Sequence, residues 1–155
     1  MTSKPILEVE KLNVRYQTQD GEIHAVADVT FKVFSNEVFG IAGESGCGKS
    51  TLIKAIMRLL PENAKMDAHS IKYKDQEIDC MSENIFRKDV LWTQISLVPQ
   101  SAMNSLNPVY KVGEQIVEAI QTHTSQGKKE ARERVEELFD VVGLQSEFLD
   151  SFPHE

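Results

Sequence analysis

Apolar residues alternate with polar ones from Leu7 onward: Leu7 and Val9, then Leu12, Val14 and Tyr16, with a one-residue slip at Glu10-Lys11 between the two runs. A period of two predicts a strand with one buried face, and the slip predicts a bulge. Asp20-Gly21 lies in the polar stretch 17–22 and signals a turn, after which Val29, Phe31 and Val33 alternate with Thr30 and Lys32. Two antiparallel strands are therefore expected, closed by a further turn at Ser35-Asn36. There the pattern changes. Val38-Phe39-Gly40-Ile41-Ala42 is continuously apolar, which predicts a strand buried on both faces. Beyond it, Ile53, Ile56, Met57 and Leu60 fall at helical spacing until Pro61 stops the pattern.

The second half reads more coarsely. The stretch 61–70 is polar and irregular, and Ile71 to Lys74 with Glu77-Ile78 predicts a short peripheral hairpin around Asp75-Gln76. A short helix is expected over 82–89, and Gln94-Ile95-Ser96-Leu97-Val98 predicts a strand ending at Pro99-Gln100. The turn-rich tail Asn104-Ser105-Leu106-Asn107-Pro108 leads to an amphipathic helix carrying Val112, Ile116, Val117 and Ile120. A second helix carries Ala131, Val135, Leu138, Phe139 and Val142, with Gly143 placed to terminate it. The charges at 128–137 fill its opposite face and read as a solvated surface.

Between the apolar run and the first helix lie Gly43-Glu44-Ser45-Gly46-Cys47-Gly48-Lys49-Ser50-Thr51, which match the phosphate-binding pattern G-x-x-x-x-G-K-S/T. Such a loop wraps its backbone so that several N–H groups point at phosphate oxygens, which small side chains and positive φ permit. Lys49 is expected to reach the outer phosphates, Ser50 to offer its hydroxyl to magnesium, and the helix to aim its positive end at the anion. Strand, glycine loop and helix in that order are the context that makes the match specific.

Composition narrows the classes further. A chain of 155 residues with 41% hydrophobic content can build the core of one ordinary domain. A net charge of -7 repels polyanions, so no nucleic-acid partner is expected. The N-terminal decapeptide lacks the apolar core of a signal peptide and no apolar run is long enough to span a membrane, so a cytoplasmic location is expected. Cys47 and Cys80 show no metal spacing and are expected to be free thiols, and the histidines at 24, 69, 123 and 154 fall in no ligand or catalytic pattern.

With these pieces in order, the chain resembles the ATPase subunit of an ABC transporter over nearly its whole length. Ala25 to Phe31 looks like that family's strand before the phosphate loop, Gly43 to Thr51 like its Walker A, and Leu97-Val98-Pro99-Gln100 like its Q-loop. Gly40 to Ser50, together with Ser105-Leu106-Asn107-Pro108, is similar to the oligopeptide, dipeptide and nickel importer branch. The resemblance implies an α/β P-loop NTPase of the ABC ATPase type: an N-terminal antiparallel β subdomain, a partial parallel core sheet and part of the helical subdomain. Residues 1–100 would form the β subdomain and nucleotide-binding core, and 101–155 the partial helical subdomain. It further implies ATP and magnesium as cofactors, transmembrane permease subunits and a second ATPase subunit as partners, and a place on the inner face of the cell membrane.

The same resemblance implies that Tyr16 stacks on adenine, although an ordinary half-buried core tyrosine also fits its position. Gln100 would contact magnesium or the attacking water, and Lys49 would serve the transferred phosphate. Gly43, Ser45, Gly46, Cys47, Gly48, Ser50 and Thr51 complete the nucleotide-binding set. Cys47 sits where alkylation would compete with nucleotide, or is simply a small residue packed in the loop.

In the family a Pro-His-Glu-like segment precedes the signature motif, and this sequence ends at Pro153-His154-Glu155. The signature, the Walker B aspartate, the catalytic glutamate and the switch histidine are not in it, so a fragment is expected. Hydrolysis needs a group that orients water and magnesium ligands beyond one hydroxyl, so the expectation is Mg-ATP binding without appreciable turnover. Self-association through uncovered apolar surface is also expected. The alternatives are a soluble ABC-type ATPase acting outside transport and a non-catalytic nucleotide-binding fragment. A GTPase or small-molecule kinase would share only the phosphate loop.

Overall fold

The computed structural model describes residues 4–99 and 105–155, and the chain falls into two compact units, Met1–Phe86 and Arg87–Glu155. In the first unit, β1 (Pro5–Thr18) and β2 (Gly21–Phe34) form a long antiparallel hairpin. β3 (Ala64–Asp67), β4 (Ser70–Tyr73) and β5 (Gln76–Glu77) follow, and the sheet order is β2-β1-β4-β5 with β3 also paired to β1. β1 therefore has partners on both edges: β2 along one, and β4 then β3 sharing the other.

The expected bulge is present as register shifts between Val9 and Leu12. Lys11 (φ 50°) and Asp28 (φ 50°) take left-handed conformations there. Their freed N–H groups are not wasted: Lys11 donates to Thr30 Oγ1 (2.9 Å) and Asp28 to Asn13 Oδ1 (2.9 Å). Side chains thus replace the ladder bonds that the bulge interrupts. The expected hairpin is β4–β5, its turn at Lys74-Asp75 (φ 46° and 69°), one residue before the place read from sequence.

α1 (Lys49–Ile56) packs on β1 and β2, burying Leu52, Ala55 and Ile56, with Met57 buried just beyond. Ile53, expected on the apolar face, points away and is exposed. The helix stops well before Pro61, because Arg58 turns left-handed (φ 53°). Arg58 then donates from Nη1 to the Met81 carbonyl (2.8 Å) and from Nη2 to the Ile78 carbonyl, and its guanidinium lies 4.4 Å from the centre of the Phe86 ring. One arginine thereby fastens the end of α1 to the segment that carries α2 (Glu83–Ile85). α2 passes directly into a π-turn over Phe86–Val90, so 83–90 is continuously helical, close to the helix expected over 82–89, with its second part wound wider than an α-helix.

Three expectations are corrected. Val38 to Ala42 is not a strand: it is unpaired and Val38 is fully exposed (102%). An apolar run joins a sheet only where a neighbouring strand offers its hydrogen bonds, and among the described residues none lies beside it. Gln94 to Val98 likewise forms no strand beyond an isolated Leu91–Ile95 bridge, and Val98 is 88% exposed. Conversely, β3 lies inside the polar stretch read as irregular. Its alternation comes from Ala64 and Met66 facing in while Lys65 and Asp67 face solvent, and Arg15 holds it through a 2.6 Å ion pair with Asp67.

The second unit is helical. α3 (Val112–His123) and α4 (Lys128–Val142) pack with a 3-10 turn over Ser146–Asp150 around Val117, Ala131, Val135, Phe139 and Leu149. Gly113 is needed where it stands, since a Cβ there would meet the Leu149 carbonyl oxygen at 2.8 Å. α4 starts at Gly127, whose N–H donates to Glu130 Oε2 (3.1 Å), and ends at Gly143 with φ 74°, as expected from sequence. Val142, assigned to the apolar face, is instead exposed.

Candidate functional site

The first unit gathers the phosphate-loop residues between the end of the Val38–Ala42 segment and the N-terminus of α1. Glycine is required at two points for different reasons. Gly46 has φ 83° with open space around its α-carbon, so only backbone conformation demands it. Gly48 has φ 95° and also lies so close to β2 that a Cβ would come within 2.2 Å of the Ala25 carbonyl oxygen. The loop is thus wedged directly against the strand, with no room for a side chain. Gly43 faces Cys47, whose Sγ lies 2.8 Å from where a Cβ would be.

Lys49 opens the helix, and its Nζ turns back into the loop. It donates to the carbonyls of Gly43 (2.7 Å) and Glu44 (2.6 Å) and lies 3.5 Å from Cys47 Sγ. The cation is therefore held over the loop by neutral carbonyls. Ser50 and Thr51 occupy the next two positions, Ser50 exposed and Thr51 half-buried, while Ser45 is exposed at the loop's outer turn. Gly48 is the N-cap and offers no side-chain acceptor, and the first turn of α1 has no acidic residue. The initial N–H groups of a helix lack intrahelical partners, so this end presents unneutralised donors and the positive end of the helix dipole. An anion is the partner that such an arrangement fits.

Tyr16, near the C-terminal end of β1, comes to the same helix. Its backbone is paired with Ile23 on one side and Ala64 on the other, and its hydroxyl oxygen lies 3.2 Å from Thr51 Oγ1. The ring is half-buried. Next to it, Arg15 is held above its ordinary pKa, first by its hydrogen bond to Asp67 and then by the charge of Glu22. These contacts fix the strand end from which Tyr16 projects.

A cavity of about 380 Å³ lies beside the loop, lined in part by Ala25, Val29, Ile41, Cys47 and Leu52. Both cysteines are free and exposed. Asp79 raises the Cys80 thiol above its ordinary value, by its charge and by accepting a hydrogen bond. Among the described residues no cluster of histidine, cysteine, aspartate and glutamate could hold a metal.

Gln100 lies outside the described residues. Downstream of it, the turn at Asn107-Pro108 is held by a residue that the sequence reading passed over. Gln115 accepts from the Asn107 N–H (2.8 Å) and donates to the Asn107 and Tyr110 carbonyls (both 3.0 Å). Its place on the first turn of a helix after a turn-rich stretch was the available signal. Likewise, nothing in the local pattern around Thr51 pointed to Tyr16, 35 residues away.

Comparison with known proteins matches the family described as ABC transporter to residues 26–154. The dipeptide transport ATP-binding protein DppD of Bacillus subtilis is 37% identical over 153 residues, covering 97% of this chain and 45% of that protein. The oligopeptide transport ATP-binding protein OppD of Mycobacterium bovis is 39% identical over 154 residues, covering 97% of this chain and 25% of that one. The chain therefore spans less than half the length of these relatives. Among solved structures, the dimeric post-hydrolysis state of the ATP-binding cassette MJ0796 bound to ADP and Pi superposes with a TM-score of 0.77 at 20% identity, over 96% of this chain and 62% of that one. That likeness establishes the fold: an ATP-binding cassette fold, with its antiparallel sheet and helices. No helix among the described residues is long and apolar enough to cross a membrane.

Proposed function

Because the chain belongs to the ABC transporter family, we propose that it is the ATP-binding part of an importer for peptides, coupling ATP hydrolysis in the whole protein to transport. The observation that carries this reading is the loop 43–51 folded onto the uncapped N-terminus of α1, with Gly48 wedged against Ala25 and Lys49 poised over the loop. The relatives named as peptide-transport ATP-binding proteins supply the substrate class.

In this reading the N–H groups of Gly46 to Thr51 cradle the phosphates, and Ser45 and Cys47 complete the rim. Lys49 exchanges its carbonyl partners for phosphate oxygens, because the anion adds a full charge–charge attraction that a neutral carbonyl cannot supply. Ser50 and Gln100 hold magnesium, which neutralises charge on the transferring phosphoryl group when bound. Tyr16 stacks on adenine. Gln100 senses the transmembrane permease subunits, on which the helical subdomain docks, a second ATPase subunit completes the assembly, and the protein sits on the cytoplasmic face of the membrane. Residues 1–100 serve as the nucleotide-binding core and 101–155 as part of the helical subdomain. The chain itself binds Mg-ATP without turning it over.

Equilibrium binding of ATP with magnesium, beside a phosphate-release assay, tests this. Wild type is expected to bind saturably and in preference to GTP, Lys49→Ala to lose at least about tenfold in affinity, equivalent to about 1.4 kcal/mol, and neither to release phosphate. Equal binding by the two proteins defeats the assignment of the phosphate site, and steady phosphate release defeats the claim of binding without turnover.

A further inference from the structure

Tyr16 and Thr51 belong to different elements, and their hydroxyls meet. The Tyr16 backbone is fixed by partners on both sides of β1, so the remaining freedom of the residue is rotation of its side chain. Thr51 is the third residue of α1, in the turn whose N–H groups face the phosphate loop. At 3.2 Å, with either oxygen able to donate, the two hydroxyls form a hydrogen bond that ties the tyrosine ring to that turn. Ordering even a side chain with two torsions on binding has a cost, and a contact that orders it beforehand removes that cost.

We propose that the Tyr16 hydroxyl is a positioning group for nucleotide binding: through Thr51 it sets the ring relative to the phosphate loop, so that recognition of the base and of the phosphates reinforce one another. The ring supplies the surface for the base, and the hydroxyl decides where that surface stands. Phenylalanine would supply the same surface without the tether. The inference rests on the proposed nucleotide site, and it differs from stacking, which needs no hydroxyl.

The test is a double-mutant cycle on the chain, read with two ligands, Mg-ATP and inorganic tripolyphosphate, in wild type, Tyr16→Phe, Thr51→Val and the double variant. Because the bond is made before ATP arrives, its loss acts by depopulating the positioned ring; a neutral hydrogen bond biases that population about fivefold, so Tyr16→Phe should weaken ATP by up to about fivefold. Tripolyphosphate, which has no base, should bind Tyr16→Phe as it binds wild type. In the Thr51→Val background, Tyr16→Phe should have no further effect on ATP. A merely structural hydroxyl would weaken both ligands together, and that result overturns the inference, as does ATP affinity unchanged in Tyr16→Phe or an undiminished loss in the Thr51→Val background. Wild type that binds neither ligand removes the nucleotide site itself, and the inference with it. Wild type that binds ATP but is indifferent to the hydroxyl removes only the inference.

Discussion

β1 and the segment Val38 to Ala42 are both rich in apolar residues, yet one is the centre of the sheet and the other lies open to solvent. Val9, Leu12 and Val14 of β1 are completely buried, with strands on both edges and α1 packed against the hairpin. Among the described residues Val38 has no strand beside it, and the exposed ring of Phe39 stacks on that of Phe31, 5.1 Å away. Hydrophobicity was similar in kind, and pairing was not. A strand is a shared structure: its N–H and C=O groups need a neighbour, and its side chains need a surface to cover them. The exposed segment nevertheless delivers the chain to Gly43, so the phosphate loop is anchored by a strand on one side, through Gly48 and Ala25, and by an unpaired segment on the other.

Truncating each region should separate them most clearly. Leu12→Ala is expected to destabilise the chain by about 3 kcal/mol, the usual cost of emptying a fully buried leucine site, whereas Val38→Ala should change stability by less than about 0.5 kcal/mol. Urea unfolding followed by circular dichroism measures both, and equal losses would erase the contrast. The loop's anchored side comes next. Gly48→Ala combines a left-handed backbone with collision against a carbonyl and should cost about 3 kcal/mol, against about 1 kcal/mol for Gly46→Ala, where space is open. Comparable losses would mean that the contact with Ala25 does not hold the loop.

A smaller effect distinguishes the two thiols. Mg-ATP is expected to slow alkylation of Cys47, which lies inside the loop, and to leave Cys80 unaffected; mass spectrometry of the two labelled peptides reads this directly. The charge of Asp79 disfavours the Cys80 thiolate, so Cys80 labelling should rise at a higher pH than that of a simple thiol. Cys47 labelled equally fast with and without ATP would place the nucleotide elsewhere. Val38→Ser, the mildest change, should leave folding intact and reduce self-association seen by sedimentation.

Much of this was legible because it is local. The alternation of Leu7 to Tyr16, the slip at Glu10-Lys11, the turn glycines and the spacing of Gly43, Gly48, Lys49 and Ser50 each constrain the backbone over a few residues, and the β1–β2 hairpin, its bulge, the start of α1 and the end of α4 at Gly143 formed where that reading placed them. β3 was missed because a polar edge strand owes its existence to the partner that receives it, here Asn13 to Tyr16 of β1. Arg58 was missed because nothing near it in sequence shows that Ile78, Met81 and Phe86 surround its guanidinium.

The sequence by itself determined the family, the glycine-loop motif and the period of β1, β2, α3 and α4, since these depend on residue type and spacing. Only the tertiary structure decided which apolar runs are buried, that Gly48 is wedged against Ala25, and that the hydroxyls of Tyr16 and Thr51 meet. Burial and contact belong to pairs of segments far apart in the chain, and no local pattern of residues records which pairs will come together.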